Sequence, residues 1–206
     1  MNNVWFENKL KDDDSVGSIV PSDDFEVTTR ILHPASVDDR QLRWSEAAAA
    51  SSVSINPSVQ FSDFKESSYT EPPASGTLGG DWEVVLSLLE KAESDAPLFA
   101  LWADVQGEFS WGTKLNNRPL EIDALTYDLV ATSFELLVST VREGSLLNFR
   151  GPNYLWPGDK KWLTASPYDA YSTFVAAPCQ TALLFEESNL EMVDVVKGDR
   201  RCWELR

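Results

Sequence analysis

Histidine is nearly missing from this chain: His33 is the single one in 206 residues. Any mechanism that needs an imidazole near neutral pH must run through that position. Cysteine is almost as scarce, with only Cys179 and Cys202 and no C-x-x-C spacing. One late pair makes no disulfide framework and no zinc or dithiol redox site, so a reducing compartment is expected. Basic residues are few, 17 Lys and Arg against 33 Asp and Glu, for a formal net charge of -16. A field of that sign repels nucleic-acid phosphates and anionic lipid, and attracts basic partners. No apolar run approaches the roughly 20 residues needed to span a bilayer. The start, MNNVWFENKLKDDDS, has neither the basic nor the apolar region of a secretory signal. A cytoplasmic protein is therefore expected.

Chemical signatures are missing too. There is no G-x-G-x-x-G, no G-x-x-x-x-G-K-[ST], no H-E-x-x-H and no G-x-S-x-G, so the usual phosphate cradles, zinc helix and nucleophile elbow are not encoded. Asp12-Asp13-Asp14 lacks the glycine and distal glutamate of a calcium loop and reads as a solvated run. No metal and no cofactor is expected.

What is present is ample core material: 43% hydrophobic residues, with eight Trp and ten Phe. A chain of this length buries roughly 70% of its unfolded surface and needs no metal or disulfide to fold. Residues 1–24 read as a polar, acidic arm that docks loosely through Trp5-Phe6 and Ile19-Val20. Residues 25–206 read as one domain with a long Ser/Pro/Gly/Thr-rich loop at 52–80. Phe25–His33 reads as a strand ended by Pro34. A helix over 40–51, capped by Asp38 or Asp39, would bury Trp44, Ala47 and Ala48. Within the loop, 59–64 reads as a short strand. Asp81 would cap a helix over 82–93 whose stripe is Trp82, Val85, Leu86 and Leu89. Leu98–Gly112 reads as a hairpin beginning with the apolar strand 98–103.

Strands at 119–122 and 126–130 lead to the strongest local signal. Thr132-Ser133-Phe134-Glu135 matches a capping box, Phe134, Leu137, Val138 and Val141 form one stripe, and Gly144 closes the helix. Strands at 161–166 and 171–176, a helix at 178–187 begun by Pro178, and a strand at 190–196 complete the chain. Mixed elements without a βαβ rhythm predict an α+β fold, with a mainly antiparallel sheet and helices packed on one face.

The chemistry-bearing candidates gather around residues 151–177, the densest aromatic stretch. Trp111, Trp156 and Trp162 flank turns, where a ring can serve as a platform for a ligand. Asp159 and Asp169 sit among these aromatics, where desolvation raises a carboxyl pKa, but each also follows a proline as turn aspartates do. Ser172 adds a short polar group. Arg30, Arg43 and Arg150 are scarce cations suited to an internal carboxylate or a bound anion. His33, at a strand end, reads as a satisfied structural histidine in preference to a ligand or base.

The residues Arg30-Ile31-Leu32-His33-Pro34-Ala35, Arg43-Trp44-x-Glu46-x-Ala48 and Leu101-Trp102, with Asn153-x-Leu155-Trp156-Pro157-x-Asp159-x-x-Trp162 and Asp169-x-x-Ser172-Thr173-x-Val175, resemble a family of uncharacterised actinobacterial proteins of about this length. The resemblance spans Val20 to Val195. The chain departs from the family's pattern at Lys160, at Phe174 and at Ala176-Ala177, where arginine, tyrosine and paired glycines are expected. The resemblance implies an intracellular bacterial protein and brings no activity with it.

These observations point to a non-catalytic α+β domain that binds a small molecule or a protein through a cleft lined by Arg30, His33, Trp156, Asp159, Trp162, Asp169 and Ser172. The alternatives are an enzyme working through Asp159, Asp169 or His33, and an acidic inhibitor or immunity-like protein that covers a basic partner.

Overall fold

The computed structural model describes residues 4–10, 15–38, 40–65, 69, 73, 78–92, 95–103, 111–116, 119–122, 125–143, 151–168, 170–196 and 199. Asp12-Asp13-Asp14, Asp39, Gly144, Arg150, Asp169 and Cys202 lie outside them.

The strands are β1 (Val27–Leu32), β2 (Ala35–Val37), β3 (Arg40–Leu42), β4 (Leu98–Ala103), β5 (Thr113–Lys114), β6 (Leu120–Ile122), β7 (Leu125–Thr132), β8 (Tyr154–Pro157), β9 (Leu163–Ala165), β10 (Ser172–Ala177) and β11 (Met192–Val195). The helices are α1 (Trp44–Ser51), α2 (Asp81–Lys91), α3 (Phe134–Glu143) and α4 (Cys179–Glu186). Nine strands form one sheet in the order β11-β1-β10-β9-β8-β4-β7-β5, with β6 also on β7, while β2 and β3 make a separate hairpin. Every strand pair is antiparallel. The α+β architecture is the one the element pattern predicts.

Alternation along the central strands sends side chains to two different cores. Leu98, Ala100 and Trp102 of β4 join a cluster with Trp82, Val85, Leu86 and Leu89 of α2 and Leu137 and Val141 of α3. Phe185 of α4 belongs to the same cluster, so these three helices cover one face. Leu101 and Ala103 point the other way, into a cluster closed by Val4, Phe6, Val16, Ile19 and Val20. The N-terminal segment is thus no loose arm: Phe6 and Val20 are fully buried, and Phe6 packs edge-on to Trp156 at 5.3 Å. Beyond it, a third cluster gathers Trp44, Ala47 and Ala48 of α1 with Phe61 and Phe64 around Leu32 of β1.

Several local readings need correction. α1 begins at Trp44, because residues 35–42 pair as the β2–β3 hairpin and Asp38 takes a left-handed turn conformation (φ 48°) instead of capping. The cap comes from far away: the Glu191 carboxylate accepts from the amides of Trp44 and Ser45. Residues 59–64 form a 3-10 turn over Phe61–Asp63, with Gln60 N–H donating to Asp63 Oδ2 at 2.9 Å. Asp81 is the first residue of α2, after Gly80, and does not cap it. β7 and β8 occupy both edges of β4, and residues 104–110 of the expected hairpin lie outside the described residues. Thr132 belongs to β7, and its hydroxyl donates to the Trp111 carbonyl, so the hydroxyl that caps α3 is Ser133's, 3.2 Å from Leu136 N.

One close approach fixes α2 against the loop before β8. A Cβ on Gly151 would stand 2.2 Å from Cε2 and Nε1 of Trp82, whose ring is fully buried. Gly151→Ala is therefore expected to cost about 3 kcal/mol and to lower Tm by roughly 6–12 °C in calorimetry. A Trp82→Phe background should recover part of that loss, because the two sites touch. An unchanged midpoint in the single variant would show that the ring yields without strain.

Candidate functional site

β10 places Ser172 and Thr173 side by side, and alternation sends them to opposite faces. On the face away from α2–α4, Arg30 Nε donates to Ser172 Oγ at 2.8 Å. Its Nη1 donates to the Val59 carbonyl at 2.7 Å and to that of Pro57 at 3.3 Å. The guanidinium lies 5.3 Å from the Trp44 ring. Arg30 is only 1% exposed. It therefore ties the 52–64 segment and α1 to the sheet, and presents no guanidinium to an external anion.

On the helix-covered face, His33 Nε2 lies 2.9 Å from Thr173 Oγ1, which lies 2.8 Å from Ser166 Oγ. Trp44 Nε1 donates to the His33 carbonyl at 2.7 Å, and His33 N–H donates to the Tyr171 carbonyl at 3.0 Å. Asn153 completes this end of the sheet: its Oδ1 accepts from Ala103 N–H at 2.8 Å and its Nδ2 donates to the Ser166 carbonyl at 3.2 Å. His33, Ser166, Thr173 and Asn153 are all fully buried. An imidazole linked through one hydroxyl to a serine has the ingredients of nucleophile activation. Sealed from solvent, this row instead clamps the ends of β1, β4, β8, β9 and β10.

The other predicted groups do not join it. Trp156 and Trp162 face opposite cores: Trp156 packs between Phe6 and Phe99, while Trp162 lies against Phe134 at 6.1 Å. Their rings, 5% and 0% exposed, offer no face to a ligand and cannot share a cleft wall. Trp111, 2% exposed, packs on Trp102 in the helix-side core. Asp159 sits in the turn joining β8 to β9, at the end of those strands away from Ser166. There it accepts from Lys161 N–H at 3.3 Å and pairs with Lys161 Nζ. It is a turn aspartate, as its position after Pro157-Gly158 suggests. Arg43 pairs with Asp81 at 2.9 Å, joining the start of α1 to the start of α2.

An open hollow lies elsewhere, at the sheet edge. α4 packs on β1 beside a recess of about 320 Å³ that β11 also lines. Val27 and Thr29 of β1 and Met192 and Asp194 of β11 form its floor, and Leu183 and Glu186 of α4 form its wall. Thr29 Oγ1 donates to Asp194 Oδ1 at 3.1 Å. Glu26, just before β1, accepts from Cys179 N–H at 2.8 Å and so caps α4 from outside the helix. That amide holds the Glu26 carboxyl below the usual carboxylate range. The carboxylate in turn pushes the Cys179 thiol up, away from a nucleophilic thiolate. Among the described residues, no three His, Cys, Asp or Glu side chains group as a metal site, and no helix is long and apolar enough to cross a membrane.

The sequence holds no local signal for this recess, whose residues come from 27–29, 179–186 and 192–194. Only the pairing of β1 with β11 and the packing of α4 on β1 bring them together. Thr173 and Asn153 stand in the shared motifs quoted above and Ser166 in none of them, although each is an uncharged polar residue inside an otherwise apolar stretch, which is a readable sign of a buried hydrogen-bonded row. Comparison with known protein families, with curated proteins and with solved structures finds no match for this chain.

Proposed function

We propose that the protein is a non-catalytic, cytoplasmic binding domain, and that binding falls to the recess between α4 and the β1–β11 edge, away from the aromatic stretch. The observation that carries this reading is the contrast in access. The imidazole and hydroxyls able to do acid–base or nucleophilic work are fully buried and bonded to one another. The recess, in contrast, combines apolar side chains with carboxylates and an exposed leucine. Concave, mostly apolar sites with a few polar groups are where ligands bind.

Amide and indole NMR spectra recorded during a fragment titration test this assignment. Shifts are expected to cluster on β1, β11 and α4, with the Trp156 and Trp162 indole signals unmoved. Shifts centred on those indoles, or on His33 and Ser166, would return the site to the 151–177 segment and overturn the reading.

A further inference from the structure

Among the described residues, β11 is the last strand of the sheet on its side, bonded to β1 alone. The Leu32 amide donates to the Glu191 carbonyl, so the residue pairs 32:191, 30:193 and 28:195 carry the bonds between the two strands. Met192 and Asp194 therefore turn their N–H and C=O groups outward. Their neighbour Val196 is already occupied, its N–H donating to Asp199 Oδ2 at 2.8 Å. An edge with outward donors and acceptors is a template for another strand.

Three further features set what that strand must be. The side chains of Met192 and Asp194 are the ones that line the recess, so a residue added directly opposite either of them would project on the same face, beside Leu183 and Glu186. Leu183 and Val196, 55% and 67% exposed, are the two most exposed large apolar residues among those described, and both flank this edge. Neither Glu186 nor Asp194 forms an ion pair among the described residues. The whole chain carries a net charge of -16.

We infer that β11 accepts an extended basic peptide segment as an added strand. The backbone of that segment bonds to Met192 and Asp194. A lysine or arginine of the segment lays its aliphatic stem on Leu183 and Met192 and brings its charge to Glu186 and Asp194. This rests on the recess being the binding place and names its occupant. Only two outward residues are offered, so affinity depends on the recess and its charge as much as on the strand bonds, and it falls as salt rises.

The probe is a capped six-residue peptide alternating lysine and valine, with a glutamate-for-lysine counterpart as control. With the basic peptide, the Met192 and Asp194 amides are expected to shift and to exchange with solvent more slowly, and the glutamate peptide is expected to leave them unchanged. Leu183→Lys, on an exposed helix surface, should weaken binding about tenfold by filling the recess and offsetting part of its negative charge. Met192→Pro removes one outward donor while sparing the bonds to β1, a substitution edge strands tolerate, and should also weaken binding about tenfold.

Equal binding of both peptides, or binding without protection of the two amides, overturns the inference. If Met192→Pro unfolds, Leu183→Lys still decides: unaltered affinity in that variant overturns it as well. Fragments that shift the recess while the basic peptide does not bind would sink the strand addition and leave the proposed binding domain standing.

Discussion

A chain that begins at Phe25 is expected not to fold. The segment before it contributes Val4, Phe6, Val16, Ile19 and Val20, none more than 5% exposed, to the core beneath one face of the sheet. At about 1.5–3 kcal/mol for each such side chain, their burial is worth on the order of 8–15 kcal/mol. The net stability of a whole domain is about 5–15 kcal/mol, so the loss removes essentially all of it. It would also uncover Tyr154, Trp156, Leu163 and Phe174, which that segment now covers. Circular dichroism and light scattering should find the shortened chain without a cooperative melt and associating through that face. Adding residues 1–24 as a separate peptide should restore part of the cooperative transition. A shortened chain that stays monomeric and melts within a few degrees of the full one would refute the assignment of these residues to the core.

Arg30→Ala should be among the most damaging single substitutions in the described residues. It deletes at least three hydrogen bonds made by a charged, buried group and leaves the Ser172 hydroxyl and the Val59 carbonyl without that donor. Bonds to charged groups are worth about 1.5–3 kcal/mol each, and an abandoned buried acceptor costs a comparable amount. A total near 4 kcal/mol is expected, or a fall in Tm of roughly 8–16 °C. Arg30→Lys should fall between the two, since an ammonium keeps the charge but not the planar fork that reaches Ser172 and Val59 together. The readout specific to this role is proteolysis. Residues 52–64 should be cut faster in both variants, because Arg30 holds that segment through Pro57 and Val59. If cleavage there is unaltered while Tm falls, Arg30 is a packing residue and not a tether.

Helix stripes were the most legible part of the fold. Trp82, Val85, Leu86 and Leu89 declare α2, and Phe134, Leu137, Val138 and Val141 declare α3, because period and burial agree without help from the rest of the chain. Caps were less legible. Asp38 and Asp81 look like capping residues, yet α1 is capped by Glu191 and α4 by Glu26, each more than a hundred positions away. The 151–177 stretch misled for a physical reason. β8 and β9 lie inside the sheet and are buried on both faces, so no inside-outside alternation separates one core from the other. Trp156 and Trp162 look like one aromatic wall in sequence, but the 158–161 turn sends them to opposite sides. The long loop at 52–80 was legible as irregular chain, but nothing local revealed that Phe61 and Phe64 anchor it on Trp44.

β1 finds both its neighbours in the final quarter of the chain, bonding β10 on one side and β11 on the other. During synthesis at roughly 5–20 residues per second, this strand therefore emerges several seconds before either mate exists. Until then its hydrophobic residues need shelter elsewhere, and α1 lacks the glutamate that finishes its first turn. Such long-range pairing predicts slow maturation after release from the ribosome, with the sheet's outer margin closing last.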